Sequence, residues 1–242
     1  MGFARALRGL GAAVLLSLAS CASYTALSTS DLGEVDREVA RAPQQYLRLS
    51  YFVMPFFGDA TKRLLSPLRP EEIQLLESPD HRLIPPGRVE RVLPAGTRVR
   101  VERVEFPTSL NVAVRVAYSP RTQPWVYLSL QTAPDAQPLV LVLRPNLRTK
   151  AEVLAELEQY LSHEDIAPRM AKYGQAVQEG VRTKHAVVDM PAEALEAAWG
   201  YPERKDIRYE AGVRLETWTY PLALRKAFLS DGRLLRVEGD RL

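Results

Sequence analysis

One cysteine, three histidines and scattered carboxylates are the residues that could do chemistry in this 242-residue chain. Cys21 is the only thiol, which excludes an intrachain disulfide and any cysteine-rich metal cluster. His81, His163 and His185 could ligate a metal or carry a proton, but none has His-x-Glu or His-x-x-x-His spacing. A Gly-x-Ser-x-Gly turn, a Walker loop and a Gly-x-Gly-x-x-Gly fingerprint are all missing from the sequence. His163-Glu164-Asp165 sets acids beside an imidazole at a predicted helix end, where such residues serve as a solvated cap. Asp135, Asp206 and Asp231 fall in predicted turns, where Asp is used for its side-chain hydrogen bonds. No residue set identifies a reaction, so the expectation is a non-catalytic protein with no metal and no cofactor.

The elements that position these residues begin with an address. Arg5 and Arg8 are the only charges in the first thirty residues, and Gly9 to Ala19 is an apolar run of about a dozen residues. A bilayer-spanning helix needs about 20 apolar residues, so this run reads as a signal peptide. Leu18-Ala19-Ser20-Cys21 closes it, with small side chains suited to a peptidase that binds an extended backbone. Residues 1–20 carry two of the 32 Lys and Arg and none of the 29 Asp and Glu, so the remainder is near neutral at about +1. That removes most of the support for a nucleic-acid partner.

The rest of the chain divides, on pattern, into a Ser/Thr/Ala-rich tether (21–33), a helical segment (34–80), a β-rich segment (81–146) and a final α+β unit (147–242). Asp31 to Arg48 can form an amphipathic helix through Leu32, Val35 and Val39, broken at Pro43. Tyr51 to Phe57 is the most apolar stretch, either a buried segment or a contact with a membrane or partner. Pro70 with Glu71 and Glu72 opens a short helix through Leu76. From Arg88 to Leu143 the period is two: Val99 and Val101, then Val112, Val114 and Val116, then Trp125 and Tyr127, then the apolar run Leu139 to Leu143. A small antiparallel barrel or meander follows from that pattern. Arg82, Arg88, Arg91, Arg98, Arg100 and Arg103, with Glu90, Glu102 and Glu105 between them, form either a solvated sheet face or a surface for anionic lipid or peptidoglycan. Thr149-Lys150-Ala151-Glu152 is a capping box for a helix ending near Ser162, and a second helix runs from about 166 to a stop at Gly180. Pro191 to Trp199 is helical, stopped by Gly200 and Pro202, and strands follow over 208–220 (as one strand or as two short ones around Gly212), 225–229 and 234–237, with a Ser230-Asp231-Gly232 turn.

Three stretches resemble known families. Leu18-Ala19-Ser20-Cys21 resembles the lipobox of bacterial lipoproteins, which implies a covalent lipid on Cys21 and cleavage before it. Ala22, where some such proteins carry an Asp for inner-membrane retention, implies an outer-membrane location facing the periplasm. Leu93 to Val99 resembles the opening of bacterial SH3-like domains, which implies a cell-wall-binding module as the alternative function. Met190, Leu195, Gly200, Pro202, Trp218, Tyr220, Phe228, Gly232 and Val237 are similar to a pattern of the BamE (SmpA/OmlA) family, with departures at Asp189 for Gly and Pro191 for Thr. That resemblance covers residues 165–240 and implies two helices on a three-stranded antiparallel sheet. It also implies a lipid-anchored envelope protein acting by protein–protein contact, as accessory factors of outer-membrane assembly do. Trp218 and Tyr220 are then either core residues or a partner-binding face.

Overall fold

The computed structural model describes residues 27–133 and 136–240. Leu18, Ala19, Ser20, Cys21 and Asp135 lie outside them. The described residues form six α-helices and two sheets, an α+β arrangement. No helix among them is long and apolar enough to cross a membrane.

Helix α1 (Thr29–Arg41) is the expected amphipathic helix. Ser28 caps it by accepting from the Asp31 amide at 3.1 Å, and Val35 and Val39 bury its inner face. The chain then forms β1 (Gln44–Leu47), β2 (Tyr51–Phe56) and β3 (Asp59–Ser66), where helix was expected. Leu47, Leu49, Tyr51 and Val53 face one core, while Phe52, Met54 and Phe56 face another. A strand buried on both faces shows no polar alternation, which hides its period. Strands β4 (Arg91–Leu93) and β5 (Arg98–Glu105) flank the Pro94-Ala95-Gly96 turn, where Gly96 sits at φ 84°.

Helix α2 (Ser109–Val114) stands where Val112, Val114 and Val116 suggested a strand. The Asn111 amide donates to Thr108 Oγ1 at 3.2 Å, and the Asn111 side chain donates to the Phe106 carbonyl at 2.8 Å; these local bonds favour a turn of helix. Next come β6 (Trp125–Leu130), β7 (Leu139–Val142), α3 (Lys150–Tyr160) and β8 (Leu161–Ser162). Thr149 caps α3 by accepting from the Glu152 amide at 3.2 Å. Glu156 is buried on α3 and accepts from the Arg144 guanidinium at 2.9 Å.

These strands form one sheet in the order β4-β2-β3-β7-β6-β5-β1-β8. Every pair is antiparallel except β3–β7, which is parallel through Arg63–Leu139 and Leu64–Val140. Because β1 runs into β2 and β4 into β5, the β1–β5 and β2–β4 pairs close the sheet on itself. The barrel therefore draws on residues 44–66 as well as the expected 81–146, and its parallel pair departs from a purely antiparallel meander. Leu49, Val53, Val99, Val126, Leu128 and Leu141 are among its inner side chains. Helices α1 and α3 pack beside it. A second apolar layer, including Phe56, Leu64 and Trp125, is covered from outside by Leu68, Ile73 and Leu75. In that covering segment Pro70–Glu72 makes one 3-10 turn in place of the expected helix, and Ile73 (φ −80°, ψ 120°) is already extended.

Helices α4 (Ala167–Met170) and α5 (Gln175–Thr183) replace the single helix expected before Gly180. Gly180 lies inside α5, where a Cβ would stand 2.7 Å from the His185 carbonyl oxygen and 2.7 Å from Met190 Cε; it permits close packing and stops nothing. The stop is Lys184, in the left-handed region at φ 63°. Helix α6 (Ala192–Trp199) runs from Pro191 to Gly200 as expected, with Pro191 as its N-cap. Strands β9 (Arg204–Glu210), β10 (Val213–Thr219), β11 (Lys226–Ser230) and β12 (Arg233–Glu238) form an antiparallel meander of four strands, with β9 and β10 divided at Ala211-Gly212, one strand more than the BamE resemblance implies. Asp206 belongs to β9 and not to a turn.

Candidate functional site

The two sheets meet at a seam of polar groups that the hydrophobic pattern gives no hint of. Ser50, at the kink between β1 and β2, donates its amide to the Ala197 carbonyl at 2.7 Å and its hydroxyl to the Val181 carbonyl at 2.6 Å. Lys184 donates to the Ser50 carbonyl at 2.7 Å and to the Ala198 carbonyl at 2.6 Å. Burial, reinforced by Arg225 and opposed by Glu72, holds the Lys184 amine well below the usual lysine range. Glu72 is fully buried and accepts from both Arg225 Nε and Arg225 Nη2, the latter at 2.7 Å, and from the Arg69 amide at 3.0 Å. The Arg225 guanidinium lies 4.5 Å from the Trp199 ring centre and 4.6 Å from that of Tyr220. Arg69 pairs with Asp240 and so ties down the end of the last strand. This bonding holds the seam rigid and leaves Glu72 no free acceptor aimed at a substrate.

Beside the seam the β3–β7 pairing gives out. The two strands are in register at Arg63–Leu139 and Leu64–Val140 only, and beyond that point a cleft of about 290 Å³ opens between them. Leu65, Leu68, Ile73, Leu141 and Leu143 line it, with Glu72 and Tyr160 among the few polar side chains. Burial, then the neighbouring Glu156 and Tyr201, pushes the Tyr160 phenol up to about 12.

A different face receives the N-terminal segment. Leu27, the first described residue, is only 7% exposed and belongs to the barrel core. Pro43, just after α1, accepts from the Val101 amide at 2.8 Å, and α1 runs back along β5 towards α2. A groove of about 530 Å³ separates Leu32 and Asp36 of α1 from Phe106, Thr108 and Asn111. Beside it Leu110 and Val114 of α2 are each 72% exposed, and Tyr118, which accepts from the Gly58 amide in the β2–β3 turn, is 69% exposed.

The residues singled out from the sequence fare differently. Leu18, Ala19, Ser20 and Cys21 are outside the described residues. Trp218 and Tyr220 are 1% and 0% exposed. Trp218 donates to Glu216 at 3.0 Å and Tyr220 to the Gly200 carbonyl at 3.3 Å, so both are core residues and neither offers a partner-binding face. Tyr51 to Phe56 is likewise core. Arg82, Arg100 and Arg103 are exposed beside Asp80, Glu102 and Glu105 respectively, on a solvated face. The three histidines are exposed and far apart in the chain; His81 meets Glu77 at 3.0 Å, and His185 meets Thr183 Oγ1 at 3.2 Å. Among the described residues no group of three or more His, Cys, Asp or Glu converges as metal ligands would. Sequence reasoning missed Glu72, Lys184 and Arg225, which stand far apart in the chain and carry no motif. The only available signal was Pro70-Glu71-Glu72, and it pointed to a helix start.

No family description, curated protein or solved structure matches this chain.

Proposed function

We propose that this is a bacterial envelope lipoprotein, acylated on Cys21 and held at the outer membrane facing the periplasm, that acts by binding other envelope proteins. The observation that carries the reading is the short span between Cys21 and Leu27, a described residue that is packed in the barrel core. Cys21 stands six residues before Leu27, and six residues reach at most about 20 Å. A lipid on that cysteine keeps the barrel against the bilayer, with no long tether over residues 21–33. The exposed Leu110 and Val114 of α2, beside the α1 groove, suit the apolar–polar boundary of such a surface. Several acyl chains at about 0.8 kcal/mol per buried CH₂ anchor a protein stably without a spanning helix.

The similarity of residues 165–240 to the BamE family supports the partner class. Met190, Leu195 and Trp218 occupy core positions in a helix-on-sheet unit. Asp189, where that family has Gly, sits at φ 68°, the left-handed region that Gly enters freely and Asp tolerates. The fourth strand, β9, is a departure from that family's sheet.

The test is direct. Mass spectrometry of the mature amino-terminal peptide is expected to find a lipid-modified Cys21, and Cys21→Ala is expected to move the protein from the membrane to the soluble fraction. An unmodified thiol, or unchanged membrane fractionation of the variant, refutes the anchor. Crosslinking in intact envelopes followed by purification is expected to recover a defined protein complex, and recovery of free monomer alone refutes the binding role.

A further inference from the structure

The four-stranded sheet finishes its two edges in opposite ways. At β12 the segment before α6 completes the pairing: the Asp189 amide donates to the Leu234 carbonyl at 2.7 Å, the Leu234 amide to that of Met190 at 2.9 Å, and the Ala192 amide to that of Gly232 at 2.8 Å. At the other edge β9 has one neighbour among the described residues, β10, and all seven of its residues are exposed. Such an edge is a template for another strand. Ile207 and Tyr209 lie on the sheet face that carries Trp218, yet they are 47% and 71% exposed, since α6 reaches only as far as Lys205 through Glu196.

Hairpin geometry fixes which backbone groups are free. The β9–β10 turn consists of Ala211 at φ 49° and Gly212 at φ 85°, the two-residue pattern in which the flanking Glu210 and Val213 form a hydrogen-bonded pair. Bonded and non-bonded pairs alternate along an antiparallel ladder. Glu210, Arg208, Asp206 and Arg204 therefore direct their amides and carbonyls at β10, whereas Lys205, Ile207 and Tyr209 direct theirs outward. An antiparallel strand centred on Ile207 would meet all three outward-facing residues.

We infer that β9 joins a second copy of itself, antiparallel about Ile207, to build one continuous eight-stranded sheet. The strand reads Arg-Lys-Asp-Ile-Arg-Tyr-Glu from 204 to 210, and in that register each cross-strand pair is complementary. Arg204 meets Glu210, Asp206 meets Arg208, Lys205 meets Tyr209, and Ile207 meets Ile207 of the partner subunit. Ion pairs fall on one face, and the apolar and cation–aromatic pairs on the other, covering the exposed Ile207 and Tyr209. In the single chain Arg204 pairs with Asp206 at 2.9 Å and Arg208 with Glu210 at 3.1 Å, all well exposed, so exchanging them for partners across the edge costs little.

Charge exchange tests this on the purified full chain by sedimentation equilibrium in density-matched detergent. The unsubstituted protein is expected to dimerise. Asp206→Arg alone sets Arg against Arg, and Arg208→Asp alone sets Asp against Asp, so each variant is expected to associate about tenfold more weakly. An equimolar mixture of the two restores an Arg–Asp pair at both positions and is expected to recover the original affinity as a mixed dimer. Ile207→Pro removes an outward amide without touching a β10 bond, so it is expected to abolish the dimer while circular dichroism, and the unfolding midpoint at a dilution where the unsubstituted chain is monomeric, stay unchanged. A monomer at all concentrations up to 100 µM (about the range of a weak edge contact) overturns the inference. So does a dimer insensitive to both charge variants.

Discussion

Both carboxylate oxygens of Glu72 are taken, one by Arg225 Nε and the other by Arg225 Nη2 and the Arg69 amide, and none of these groups has water to fall back on. Removing one member is therefore costlier than removing the pair. Glu72→Gln is expected to lower unfolding free energy by about 3–5 kcal/mol, because Arg225 stays buried without its counter-ion. Glu72→Leu combined with Arg225→Met is expected to recover most of that loss; urea titration of the three proteins checks the order. Tyr160 supplies a pH test with a defined sign. Its phenol is pushed up to about 12, so the folded chain holds this proton more tightly than the unfolded chain does near pH 10. The stability it contributes is complete below about pH 10 and is lost as pH rises towards 12, an effect on the order of 2 kcal/mol. Tyr160→Phe is expected to flatten that alkaline decline, as seen in denaturation midpoints measured between pH 9 and 12. An unchanged decline would show that other tyrosines carry it.

Elements that follow local rules were legible in the sequence. The Thr149 cap, the Gly200 stop and the Asp231-Gly232 turn each act through their own backbone neighbours, and each appears in the structure. β1 to β3 were not legible because two cores claim their two faces, and α2 was not because Val112, Val114 and Val116 mimic strand alternation while Thr108 and Asn111 favour a turn. Gly180 shows how a correct local rule can be misapplied. Helix propensity alone says Gly180→Ala should gain about 1 kcal/mol. The added methyl would stand 2.7 Å from the His185 carbonyl oxygen, which is backbone and cannot step aside cheaply, so the substitution is expected to destabilise by about 1–3 kcal/mol. Thermal unfolding of the variant decides between the two signs.

In the whole molecule the barrel and the C-terminal meander behave as one body because Ser50, Lys184, Glu72 and Arg225 bond across their junction. Trp218 and Tyr220 illustrate the limit of reading partners from composition: an aromatic suits a core and an interface equally, and burial assigned both to the core. The sequence by itself determined the near-neutral balance of residues 21–242, and also the Thr149 cap, the Gly200 stop and the Asp231-Gly232 turn, since these three depend on residues adjacent in the chain. Only the tertiary structure decided that residues 44–66 close the barrel, that Glu72 and Arg225 pair, and that β9 is left open. Those outcomes depend on which surfaces meet across more than a hundred residues, and a one-dimensional pattern does not encode that meeting.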